Sequence, residues 1–84
     1  MPVAIVTLLS KPGCHLCDDA RDVVRGVLEA HPEIDYVERS ILESEELNAR
    51  YWDEIPVVLI DDVVHSIYRV DAERLRSALV ERGH

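Results

Sequence analysis

The chain has 84 residues, 48% of them hydrophobic and 31% charged, and carries 17 acidic against 9 basic side chains for a formal net charge of −8. That length holds one domain, residues 1–84, and no second, while the apolar share excludes wholesale disorder. The acidic excess repels phosphate backbones and anionic lipid surfaces, so nucleic acid and membranes are excluded as expected partners, and no apolar run reaches the roughly 18 residues that span a bilayer.

Met1-Pro2-Val3-Ala4 has neither the basic region nor the cleavage site of a secretory signal. A cytoplasmic location is therefore expected. Val3 to Leu9 forms a continuous, β-branched apolar run, the pattern of a strand buried on both faces. Pro12-Gly13 breaks it. The next stretch sets Leu16, Ala20, Val23, Val24, Val27 and Leu28 at helical spacing, with charged residues between them, and predicts a helix to about Ala30, stopped near Pro32. Gly26 weakens that helix by about 1 kcal/mol relative to alanine, and its place is expected to let the helix lie close to the sheet.

Residues Ile34 to Ile41 show a mixed alternation that suits a second strand with one less buried face. Ser44, followed by Glu45 and Glu46, supplies the cap and first-turn acids of a short second helix with Leu47 and Tyr51 on its apolar stripe. Ile55 to Ile60 is a further apolar strand; Asp61-Asp62 makes the turn to a hairpin partner, Val63 to Ile67. Asp71 caps a last helix with Ala72, Leu75, Ala78 and Leu79 facing inward. The order βαβαββα predicts a four-stranded mixed α/β sheet flanked by three helices, with the helices before and after the hairpin covering its two faces. Its first βαβ unit has a right-handed crossover and parallel neighbours.

Both cysteines fall in Lys11-Pro12-Gly13-Cys14-His15-Leu16-Cys17, between the first strand and the first helix. Side chains three apart on a helical turn lie about 5–6 Å from each other, within the range a disulfide tolerates, so the pair can open and close a bridge with little backbone movement. A thiol in the first turn also feels the positive end of the helix, which favours thiolate. In a reducing compartment a lasting structural disulfide is uncommon and a transient catalytic one is the usual exception.

The motif after a first strand, the Ile55-Pro56 opening of a later strand and the element order together resemble the glutaredoxin branch of the thioredoxin superfamily over nearly the whole chain. The resemblance implies a thioredoxin-like fold and a cis Pro56 whose loop lies against the dithiol, with the backbone of Ile55 offered to a substrate strand. It also implies that the N-terminus of the helix capped by Asp71 receives a glutathione carboxylate. Two positions depart from the glutathione-using pattern: Leu16 stands where those relatives carry an aromatic residue, and Tyr68-Arg69 where they carry a glycine pair. Lys11, Arg50 and Arg69 remain as cations able to attract carboxylates.

The roles expected on this reading are Cys14 as nucleophile and Cys17 as resolving thiol. Lys11 and His15 are expected to tune the thiolate, against Asp18 and Asp19, which disfavour more negative charge there. Ile55, Pro56, Arg69 and Asp71 are expected to bind substrate. Tyr51 and Trp52 are expected to pack the second helix against the sheet, and His31, His65 and His84 to be surface residues. No bound cofactor and no metal are expected; glutathione is a possible electron donor, as is a thioredoxin-type reductase, and a protein disulfide or glutathione is the expected partner of a monomer. Three functions stay open: a dithiol–disulfide oxidoreductase, an iron–sulfur carrier, and an idle thioredoxin-like docking module. Two thiolates do not complete a cluster's four-ligand set, so the carrier needs a second copy or external thiols, and fold alone does not guarantee activity.

Overall fold

The computed structural model describes residues 4–81, in which the elements follow the predicted order: β1 Ile5–Ser10, α1 His15–Leu28, β2 Asp35–Ser40, α2 Glu45–Tyr51, β3 Val57–Ile60, β4 Val63–Ile67 and α3 Ala72–Glu81. A single 3-10 turn, Ile41–Glu43, separates β2 from α2. The four strands form one sheet in the order β2-β1-β3-β4. β1 runs parallel to β2 and antiparallel to β3, which pairs antiparallel with β4 through an irregularity between Val58 and Leu59. Asp61 and Asp62 both have positive φ, +50° and +69°, as a two-residue hairpin turn of the right twist requires. Asp61 fastens that turn to β1: its backbone N–H donates to Ile5 O, and its Oδ1 accepts from Ile5 N, both at 2.9 Å.

Strand alternation divides the core in two. Val6 and Leu8 of β1, with Val58 and Ile60 of β3, meet Ala20, Val24 and Val27 of α1 and Leu75 and Leu79 of α3. Leu9, Val57 and Leu59 form a second cluster with Ile41, Tyr51, Ile55 and Cys17. The hairpin is thus flanked as expected, with α3 on one side and α2 on the other. Leu8, Leu75 and Leu79 are completely buried, so truncating any one of them to alanine costs about 2–5 kcal/mol.

Several expectations need correction. Val3 lies outside the described residues, and the strand starts at Ile5, which is 38% exposed because it sits at the open end of the sheet. Gly26 makes no close approach to the sheet: a Cβ there would meet nothing within 4 Å, since the buried face of α1 is built from Cys17, Ala20, Val24 and Val27. Leu16 is exposed instead of inward, at the helix start beyond the sheet's cover. β3 begins at Val57 because Ile55 N–H is taken by Tyr51 O at the end of α2 (3.2 Å). Tyr51 packs into the second cluster, whereas Trp52, at the C-cap of α2, stands 63% exposed. His31 is partly covered beside Glu33, His65 lies against Ser66, and His84 is outside the described residues.

Candidate active site

Cys14 is the N-cap of α1. Its extended backbone (φ −92°, ψ 109°) lets its carbonyl accept the first helical bond from Asp18 N (3.2 Å), while its sulfur turns back to accept from Cys17 N at 3.3 Å. Sulfur thus does what a serine or aspartate oxygen does at other caps, satisfying an otherwise orphaned N–H. Gly13, at φ +79°, makes the preceding turn, a conformation that glycine adopts freely. Both cysteines are free thiols; Cys14 is partly exposed and Cys17 fully buried.

Burial pushes the Cys17 thiol up to about 12, and its hydrogen bond to the Cys14 sulfur adds to the rise. The Lys11 backbone and, more weakly, the charge of Arg21 pull the other way. Lys11 therefore reaches the pair through its main chain. Its side chain and that of His15 are exposed.

Arg21 carries a network that the sequence alone did not reveal. It grips Glu38 of β2 with Nε–Oε1 and Nη2–Oε2 bonds, both 2.6 Å, and reaches Asp18 at 2.8 Å. Ser10, itself buried, donates to Glu38 at 3.0 Å, and the Tyr36 hydroxyl donates at 3.3 Å. The guanidinium holds the Glu38 carboxyl down at about 2, and the two carboxylates push Arg21 above its ordinary range. Asp18, on the first turn of α1, is thus paired with Arg21. The Asp18/Arg21 spacing was visible as a helical pair; the Glu38 contact depends on the parallel crossover.

Ile55 shares a cluster with Cys17, and Cys14 packs against that cluster. The Ile55–Pro56 peptide is cis and Pro56 is fully buried. Ile55 N–H is already bonded to Tyr51 O at the end of α2 (3.2 Å). Asp71 Oδ1 caps α3 by accepting from Glu73 N (2.8 Å) and Arg74 N (3.1 Å). Arg69 is exposed and lines a groove with Leu16 and Tyr68, while Arg50 lies over the Tyr51 ring at 5.0 Å. Among the described residues no cluster of three or more His, Cys, Asp and Glu could hold a metal ion, and no helix is long and apolar enough to cross a membrane.

A four-stranded mixed sheet with three helices, bearing a close cysteine pair where β1 leads into α1, defines an α/β thioredoxin-like domain. The chain belongs to the family described as "Glutaredoxin-like domain (DUF836)", whose sequence profile matches residues 5–80. A structural genomics target protein from X. campestris is 27% identical at a TM-score of 0.70, covering 90% of this chain and 96% of that one. A protein from Nitrosomonas europaea, solved by NMR, is 21% identical at 0.77, with 93% and 92% covered. Fasciola hepatica thioredoxin shares the fold at 19% identity and 0.69, with 94% and 80% covered. No curated protein matches the chain.

Proposed function

We propose that the chain is a dithiol–disulfide oxidoreductase with Cys14 as nucleophile and Cys17 as resolving thiol. The observation that carries this reading is the asymmetry of the pair: a partly exposed sulfur at a helix N-terminus accepts from the backbone N–H of a fully buried cysteine one turn on, and burial favours the neutral form of that second thiol. The Cys14 thiolate attacks one sulfur of a substrate disulfide and expels the other as a thiolate, leaving a mixed disulfide. Cys17 then gives up its proton to the departing sulfur and attacks Cys14, releasing the second substrate thiol. Two electrons pass to the substrate, and a Cys14–Cys17 disulfide remains.

On this reading Ile55, Arg69 and Asp71 border the substrate and the fully buried Pro56 shapes the loop beneath it, while the exposed Lys11 and His15 flank Cys14 in the chain. A thioredoxin-type reductase is favoured over glutathione as electron donor. The two α3 N–H groups that would receive a glutathione carboxylate are already bonded to Asp71, and the chain carries Tyr68-Arg69 where glutathione-using relatives carry a glycine pair.

The test is a pair of variants assayed on a disulfide substrate with each donor in turn. Cys14→Ser abolishes reduction, and Cys17→Ser accumulates a mixed disulfide at Cys14 visible by intact mass. A Cys14→Ser variant as active as wild type ends this reading.

A further inference from the structure

β2 closes one side of the sheet. Its six residues pair with β1 in an unbroken parallel register, from Ile5 with Asp35 to Ser10 with Ser40, and among the described residues no strand lies beyond it. Asp35 N donates to Ala4 O at 3.1 Å. By the alternation of a strand, the backbone groups of Asp35, Val37 and Arg39 therefore face β1, and those of Tyr36 and Glu38 face the open edge. β2 has no proline, no lysine and no bulge, whereas the ladder of β4, at the other edge, is irregular. A regular edge of this kind is a template for a further strand.

The side chains of β2 select the occupant. Asp35, Val37 and Arg39 share one face and are all exposed, Val37 at 42%. An antiparallel neighbour forms hydrogen bonds only in registers that set outward backbone groups opposite each other. With Val37 on a two-fold axis, Tyr36 and Glu38 of the two copies exchange those bonds, Val37 meets Val37, and Asp35 of each copy lies opposite Arg39 of the other. Registers centred on Tyr36 or Glu38 bring no Asp35 to an Arg39. Both ions are available: among the described residues Asp35 has no ion pair, and Arg39 reaches its own Glu43 only at 3.7 Å. Glu38 is already neutralised by Arg21. We propose that β2 is a self-association edge, at which a second copy of this chain adds antiparallel about Val37 and joins the two four-stranded sheets into one. Two six-residue strands cover less than the roughly 1,000 Å² that marks a stable interface, and the charge of −8 on each copy opposes their approach. The dimer therefore forms in concentrated solution, and the dilute chain is the monomer expected from its sequence. Because β1 runs parallel to β2, antiparallel pairing sends the two dithiols to opposite ends of the joined sheet, where each stays open. The inference does not depend on the dithiol reading.

The test is sedimentation equilibrium of the full chain from about 10 μM to about 1 mM, in a phosphine reductant that excludes disulfide-linked dimers. Wild type is expected to shift from monomer toward dimer across this range. Asp35→Arg and Arg39→Asp each set like charges opposite one another at both ends of the paired strands, and each is expected to weaken association at least about fivefold. The double variant, Asp35→Arg with Arg39→Asp, rebuilds the opposite pairs and returns the affinity to within about twofold of wild type. Val37→Lys, at an exposed position, brings two ammonium groups together on the axis and leaves a monomer throughout. Amide hydrogen exchange locates the contact: in the concentrated sample Tyr36 and Glu38 N–H slow relative to the dilute one, and Val63–Ile67 does not. A wild type that is monomeric at the highest concentration leaves the edge to a strand of another protein or to none, and overturns the proposal. So do single variants that associate as wild type does, a double variant that fails to recover, or slowed exchange in β4 instead of β2.

Discussion

The backbone N–H of Cys17 donates to the sulfur of Cys14 across 3.3 Å. One sulfur thereby closes the start of α1 while the other lies buried under Leu9, Val57 and Leu59, so the two thiols are chemically unlike although they share one helical turn.

Unequal alkylation follows from this. With its pKa pushed up to about 12 by burial, Cys17 has a thiolate fraction on the order of one in ten thousand at pH 8. Iodoacetamide at that pH is expected to add one label per native chain, at Cys14, with the second appearing only after unfolding. Peptide mapping checks this, and comparable labelling of native Cys17 contradicts it.

Glu38 links β2 to α1 through Arg21. Its carboxyl is held at about 2, below the ordinary 4.5, so its contribution to stability is fully present above the ordinary value and is lost as pH falls through 4.5 toward 2. The pair is partly exposed, and solvent screening reduces its worth to about 1 kcal/mol. Glu38→Gln is expected to be less stable than wild type by that amount at pH 7, with the difference shrinking toward zero near pH 2. Urea unfolding at several pH values measures it.

Gly26→Ala is expected to stabilise the protein by about 0.5–1 kcal/mol. The added methyl meets open space on the solvent side of α1, and no functional side chain depends on it. Thermal unfolding tests the gain; a loss of stability indicates a close contact on that face.

The elements and their order were legible because the signals were local. Ile55 to Ile60 reads as a buried strand, of which Val57–Ile60 joins the sheet, and Ser44 caps α2 through Glu46 N and Leu47 N and Asp71 caps α3, as their sequence positions imply. Cys14 and Cys17 were legible for the same reason, since one turn of helix fixes their relationship. What stayed hidden depends on contacts distant in sequence. Glu38 meets Arg21 only once the β1–α1–β2 crossover has formed, and Ile55 loses its N–H because α2 ends where Tyr51 O can accept it. Nothing local announces a tyrosine at positive φ; Tyr68 is held there by Glu54, on the segment leading into Pro56. Periodicity placed Leu16 inward because it counts helical spacing and not where the sheet's cover ends.

The most direct test of the central claim is an equilibrium redox titration of the wild-type chain, counting free thiols by mass across buffers of reduced and oxidised dithiothreitol. Cys14 and Cys17 are expected to disappear together in a single two-electron step within the monomer. Because a buried thiol that keeps its proton gives the reduced form little extra stability, the midpoint is expected nearer the −270 mV of thioredoxin than the −120 mV of a strong oxidant, both about. Loss of only one thiol, or oxidation solely to disulfide-linked dimers, would contradict the claim that these two sulfurs form a working dithiol.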